Sequence, residues 1–77
     1  MNAKVGALTG REMVRALERA GFVLKRTKGS HHILVHPNDK TRRATVPVHG
    51  RSSLKQGTLH GILRQAKLTE DELRALL

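Results

Sequence analysis

The sequence predicts an α+β protein: a two-layer sandwich with the element order α-β-β-β-α and a short extra helix at the C-terminus. Three observations predict it. The chain has 77 residues, enough for one domain with one hydrophobic core. Its apolar residues recur at helical spacing near both ends and alternate as in strands between them. A three-stranded sheet with one apolar face needs a cover, and the two amphipathic helices are the only candidates.

The first helix is predicted to begin near Gly10. Thr9 and Glu12 have the spacing of a capping box, in which a hydroxyl and a carboxylate satisfy amide groups at a helix start. The apolar stripe that follows consists of Met13, Val14, Leu17 and Ala20. The opposite side carries Arg11, Arg15, Glu18 and Arg19. Gly21 suits the left-handed conformation that ends helices, and we expect residues 1–8 to be a flexible N-terminus.

Three antiparallel strands are predicted over residues 22–28, 31–36 and 42–48, where β-branched and large apolar residues are frequent. Gly29 and Ser30 read as a tight turn between the first two strands, and residues 37–40 as a second turn.

Two more helices complete the chain. The second begins between Lys55 and Thr58, and its apolar stripe consists of Leu59, Ile62, Leu63 and Ala66. Thr69 and Glu72 form another capping box, which predicts a helical tail over residues 69–77. The whole chain, 1–77, is therefore interpreted as a single domain.

Alternation along the strands predicts which side chains face the core. Ala44, Val46 and Val48 share one side of the third strand, and Phe22 and Leu24 one side of the first. In the second strand Ile33 and Val35 are expected to point inward, which sends His32, Leu34 and His36 to the uncovered face and leaves Leu34 poorly placed. The uncovered face would then carry four cationic or titratable side chains, Lys25, His32, His36 and Arg43.

The charge balance indicates a polyanionic partner. Fifteen Lys and Arg against six Asp and Glu give a net charge of +9, which favours nucleic acid, although acidic proteins and lipid surfaces also attract such a chain. Phe22 is the only aromatic residue, so RNA recognition by rows of stacked bases is nearly excluded. No apolar run approaches the roughly 20 residues of a membrane span, and we expect a cytoplasmic protein without a membrane contact.

The segment Gly29-Ser30-His31-His32 is the most unusual local string. Histidine is a competent proton acceptor near neutral pH, and one that opens a strand after a turn is exposed yet held in place. A zinc site would need three or four ligands, with carboxylates or thiolates beside the histidines, and Asp39 is the only acidic residue between Glu18 and Glu70. No cysteine and no glycine-rich phosphate loop are present, so we expect neither a metal nor a nucleotide cofactor. What remains is a histidine that takes a proton from a ribose 2′-hydroxyl, with cations offsetting charge on the phosphate.

From about Thr9 to Leu68 the sequence resembles the HicA (YcfA-like) toxins of bacterial and archaeal toxin–antitoxin pairs. The resemblance rests on Leu17 and on stretches that follow it in the expected order, 20–22, 28–32, 36–37, 46–49, 57–59 and 62–66. It implies a fold like the double-stranded-RNA-binding domain and a type II toxin: an endoribonuclease that cleaves mRNA without a metal and is inhibited by a HicB-type antitoxin. It also implies that His32 carries the essential imidazole, with Gly29 and Ser30 shaping the turn that presents it. Lys67 departs from the glycine that many members have after the second helix.

Other basic residues are candidates for RNA binding or charge stabilisation: Lys25, Lys28, Arg43, Arg51 and Lys55. In the toxin interpretation Lys28, with Lys25 or Arg43, offsets charge beside His32. An alternative is a non-catalytic module that binds double-stranded RNA or the ribosome, with Arg51 and Lys55 as its phosphate clamp. A third is an adaptor that docks an acidic protein on the basic face.

Overall fold

The computed structural model describes residues 7–77 and has the predicted element order. Its elements are α1 (Gly10–Arg19), β1 (Val23–Lys28), β2 (His31–His36), β3 (Asp39–Pro47), α2 (Gln56–Ala66) and α3 (Glu70–Leu76). The strands form one antiparallel sheet in the order β1-β2-β3, and the helices pack against it. The predicted α+β sandwich with an additional C-terminal helix is confirmed, and it is consistent with the fold that the resemblance implied.

Both predicted capping boxes are formed. The Thr9 amide donates to Glu12 Oε1 at 2.9 Å and the Glu12 amide donates to Thr9 Oγ1 at 3.1 Å. Thr69 and Glu72 repeat this arrangement at the start of α3, with distances of 2.8 and 3.1 Å. Each box satisfies amide groups that a helix start leaves without intrahelical partners.

The hydrophobic core lies between one face of the sheet and the helices. Its largest fully buried side chains are Met13, Leu17, Leu34, Val46, Leu59 and Leu73. Of the segment expected to be flexible, residues 1–6 lie outside the described residues, whereas Leu8 is buried and its carbonyl oxygen accepts a hydrogen bond from the Leu54 amide at 2.7 Å. Within residues 7–77 no helix is long and apolar enough to cross a membrane.

The predicted orientation of β2 is wrong. Leu34 is fully buried, opposite Leu24 on β1 and Ala44 on β3, so it points toward the helices. Ile33 and Val35 are half-buried on the uncovered face. The prediction assigned the two β-branched residues, Ile33 and Val35, to the core face of the strand and Leu34 to the uncovered face. β-branched side chains also suit a partly exposed sheet surface, so their number did not identify the core face.

His32 and His36 therefore lie on the helix-covered side of the sheet, together with Leu34. His32 is opposite Val46, which is fully buried, and opposite Thr27 on the other neighbouring strand. In a regular strand with Leu24 facing the core, Thr27 would point to the uncovered face, but it shares the covered side with His32.

An irregularity in β1 explains why Thr27 is on the covered side. The pairing register between β1 and β2 shifts between Leu24 and Arg26, so Lys25 is an extra residue without a partner across the ladder. Such a β-bulge reverses the alternation of every later residue relative to a regular strand. Lys28 consequently lies opposite His31 on the uncovered face.

Candidate functional site

The β1–β2 turn fixes the start of β2 at His31 and therefore the position of His32, the next residue. Gly29 has φ +59°, in the left-handed region that glycine adopts without steric cost. Lys28 and His31 pair across a two-residue turn, as the sequence predicted for Gly29 and Ser30. The Ser30 carbonyl oxygen accepts a hydrogen bond from the Val48 amide at 2.8 Å, which fixes this turn against the end of β3.

The His32 side chain lines an open depression between β2 and α1. The depression has a volume of about 390 Å³, and its lining residues are Arg11, Val14, Arg15, Glu18, His32 and Val48. His32 is half-buried, and its Nδ1 is enclosed, with no hydrogen-bond partner among the described residues. Nε2 is therefore the nitrogen available to a molecule in the depression. The ring is beside a helix rather than on the uncovered face, but it is not sealed from solvent.

Two arginines that the sequence interpretation left on the solvent side of the first helix belong to this depression. Arg11 and Arg15 are one helical turn apart on α1, and both are exposed. In the described part of the chain neither forms a salt bridge, and Glu18 does not pair with them. Their positive charge is therefore available to an anion beside His32.

Gly10 brings α1 close enough to form this depression. A Cβ atom at Gly10 would overlap the Pro47 carbonyl oxygen and lie 3.1 Å from the Val48 Cα. Only a glycine lets the first turn of the helix contact the end of β3 in this way. Arg11 thus lies directly beside the segment that follows the sheet.

The predicted grouping of Lys25, His32, His36 and Arg43 on the uncovered face is wrong. Arg43 lies opposite Val35 on that face, and Lys25 is at the bulge, whereas both histidines are on the covered side. The structure therefore separates Arg43 from His32, and it places Lys28 on the uncovered face as well. A role for Lys25, Lys28 or Arg43 in RNA binding stays a prediction.

Arg51 and Lys55 line different depressions. Arg51 shares one of about 410 Å³ with Thr9, Arg11 and Gly50. Lys55, just before α2, lines another of about 420 Å³ whose wall includes His49. Arg11 lines both the Arg51 depression and the His32 depression, so Arg51 is next to the candidate site and Lys55 is on a separate part of the surface.

His36 has structural contacts at the other end of β2. Its ring meets the Phe22 ring edge-on, with centroids 5.2 Å apart, and its Nδ1 accepts a hydrogen bond from the Asn38 amide at 3.2 Å. Across the ladder is Asp39. Hydrogen bonds from the Thr41 side chain and amide lower the pKa of Asp39. Within residues 7–77 no three His, Cys, Asp or Glu side chains are grouped so that they could hold a metal ion.

A family model described as the HicA toxin of bacterial toxin–antitoxin matches residues 10–68, which include α1, the whole sheet, α2 and the candidate site. The chain belongs to the HicA toxin family. A search of curated proteins finds no match. Membership in this family makes the chain a toxin of a toxin–antitoxin system, and it implies an antitoxin partner.

Proposed function

We propose that this HicA-family chain is an mRNA endoribonuclease in which His32 is the general base and no metal takes part. The observation that supports the proposal most directly is the half-buried His32 imidazole in a depression that also contains Arg11 and Arg15. A proton acceptor and two guanidinium groups without carboxylate partners are groups that accelerate cleavage of a phosphodiester by its own ribose, as general base and as charge stabilisation.

The reaction begins with proton transfer from a ribose 2′-hydroxyl to His32 Nε2. The 2′-oxygen then forms a bond to the adjacent phosphorus, and the bond from phosphorus to the 5′-oxygen breaks. The departing 5′-oxygen takes a proton from a water molecule and becomes a hydroxyl, and the imidazolium returns its proton to the hydroxide that is left. The products are a 2′,3′-cyclic phosphate and a 5′-hydroxyl end. DNA has no 2′-hydroxyl and is not cleaved by this route.

Arg11 and Arg15 provide positive charge where the phosphate gains negative charge. Guanidinium groups bind phosphate oxygens with two parallel hydrogen bonds, and such charge-assisted bonds are stronger than neutral ones. Arg15 and His32 line the same depression, so a phosphate bound there would lie beside both side chains. RNA on either side of the cleaved bond contacts the uncovered face or its edge, through Lys25, Lys28 and Arg43. A HicB-type antitoxin is the protein that inhibits cleavage.

The test is cleavage of a 5′-labelled single-stranded RNA by the purified chain in buffer with EDTA. We expect products with 2′,3′-cyclic phosphate ends. His32→Ala should lower the cleavage rate about 10²- to 10⁴-fold, the usual contribution of a general base, while RNA affinity measured by fluorescence anisotropy changes less than about threefold.

His31→Ala is the matched control, because His31 is the neighbouring imidazole on the opposite face of the same strand. It should cleave at nearly the rate of the parent. Equal cleavage by the His32 variant, loss of cleavage in the His31 variant instead, or inhibition of the parent by EDTA would each contradict the mechanism. RNA binding by the parent with no cleavage under any condition would favour the alternative, a non-catalytic RNA-binding module.

A further inference from the structure

The depression that contains Arg51 shares one lining residue, Arg11, with the His32 depression. Its lining residues are Thr9, Arg11, Gly50 and Arg51. Because Arg11 lines both depressions, a chain that passes over this residue extends from one into the other. The two depressions therefore adjoin at Arg11, and a path over both crosses the start of α1.

The path is positively charged. Arg11 and Arg51 are exposed, and within residues 7–77 neither forms a salt bridge. The nearest carboxylate in sequence is Glu12, whose Oε1 accepts hydrogen bonds from the Thr9 amide at 2.9 Å and from the Thr9 hydroxyl at 3.0 Å. That carboxylate is held at the helix cap, so the guanidinium groups are free to bind an anion.

The backbone that carries Arg51 is attached to the rest of the protein on both sides. Before it, the Val48 amide donates to the Ser30 carbonyl oxygen at 2.8 Å. The Ser52 amide donates to the His49 carbonyl oxygen at 3.0 Å and closes a turn around Arg51, in which Gly50 has φ +55°. After it, Ser53 forms an isolated antiparallel bridge with Thr9. The turn is therefore held beside the first residues of α1, and Arg51 is presented next to Arg11.

We infer that this depression is a second phosphate subsite, which binds the RNA backbone at a phosphate beyond the one that is cleaved. The inference rests on the proposed function, since it takes the His32 depression as the place of cleavage. Two neighbouring guanidinium groups bind a phosphate through paired hydrogen bonds. A strand that occupies both depressions would place successive backbone phosphates in them. The substrate is therefore a polynucleotide strand, held in place by its backbone.

The first experiment measures binding without cleavage. His32→Ala protein, with and without Arg51→Ala, is titrated with a labelled single-stranded RNA over a range of salt concentrations. Loss of one phosphate contact should reduce the slope of log affinity against log salt by about 0.7, the value for one contact on a single strand. The matched control is Arg26→Ala, which removes an arginine from the uncovered face, opposite Ile33. An unchanged slope in the Arg51 variant, or the same reduction in the Arg26 variant, would overturn the proposal.

The second experiment measures cleavage as a function of substrate length. A cleavage site is mapped on a long RNA, and kcat/KM is then measured on a dinucleotide that contains only that bond and on a 10-nucleotide RNA centred on it. Arg51→Ala should reduce kcat/KM at least tenfold more on the longer RNA than on the dinucleotide, mainly through KM. Equal losses on both substrates would refute the subsite. Absence of all cleavage by the parent would refute the proposed function, and the salt slopes would still decide the subsite.

Discussion

The side of the sheet on which His32 lies can be tested by the stability of two neighbouring variants. Leu34 is fully buried on the same side as His32, and Ile33 is half-buried on the other. Replacing a fully buried leucine by alanine costs about 2–5 kcal/mol, and we expect about 3 kcal/mol for Leu34→Ala because its side chain is completely enclosed. Ile33→Ala removes atoms that remain partly in water, so it should cost about 1 kcal/mol.

The assay is thermal and urea unfolding followed by far-UV circular dichroism, since the chain has no tryptophan or tyrosine for fluorescence. For a domain of this size 1 kcal/mol corresponds to a change in Tm of about 4–8 °C, so Leu34→Ala should lower Tm by about 12–24 °C. The milder Leu34→Val keeps the comparison measurable if the alanine variant does not fold. A larger loss for Ile33→Ala than for Leu34→Ala would mean that β2 is turned over, with His32 on the uncovered face.

Two further predictions concern the C-terminal helices. Lys67 ends α2 with φ +58°, a conformation that is costly for a residue with a Cβ, although its ammonium donates to Thr41 Oγ1 at 2.9 Å. In urea titrations Lys67→Gly should raise the free energy of unfolding by about 0.5–1 kcal/mol, whereas Lys67→Ala should lower it. A destabilised glycine variant would mean that the surface hydrogen bond stabilises the protein more than the backbone strain destabilises it. Hydrogen bonds from the Thr69 amide and, to a lesser extent, from the Thr69 hydroxyl lower the pKa of Glu72 below its ordinary value of 4.5. The stability that this ionised carboxylate contributes is therefore fully present above about pH 4.5 and is lost as the pH falls through the lowered pKa. In melts from pH 6 to pH 3 the Tm difference between the parent and Glu72→Gln should therefore shrink, and a constant difference would contradict the assignment.

Local signals in the sequence predicted the order and most bounds of the elements. The Thr9 and Thr69 capping boxes placed two helix starts, and residues 31–36 were predicted as a strand with the bounds that the structure has. These features depend on hydrogen bonds and conformational preferences among residues a few positions apart. They can be read from the sequence because no distant contact is needed to produce them.

The orientation of β2 could not be predicted in this way. Both sides of that strand carry apolar residues, and the choice between them depends on where the helices pack. The β-bulge at Lys25 contains no glycine, the residue that would have indicated a bulge in the sequence. A correct choice required knowing that Leu34 is at the centre of the middle strand under the helices.

Arg11 and Arg15 were missed because a charged helix face is usually only solvated. The sequence did contain a signal, since Arg11, Arg15 and Arg19 are four residues apart and no carboxylate separates them along that row. Like charges at this spacing destabilise a helix by a few tenths of a kcal/mol, so such a row can indicate an anionic ligand. Its position beside His32 depends on the Gly10 contact, which involves residues far apart in the chain.

The contact between Gly10 and Pro47 has a consequence for any molecule that enters the site. Main chain touches main chain there, and no flexible side chain acts as a spacer. The first turn of α1 is consequently fixed against the end of β3, and so are the backbone positions from which Arg11 and Val48 line the site. Under the proposed function, an RNA strand would therefore have to adapt its own conformation to these backbone positions.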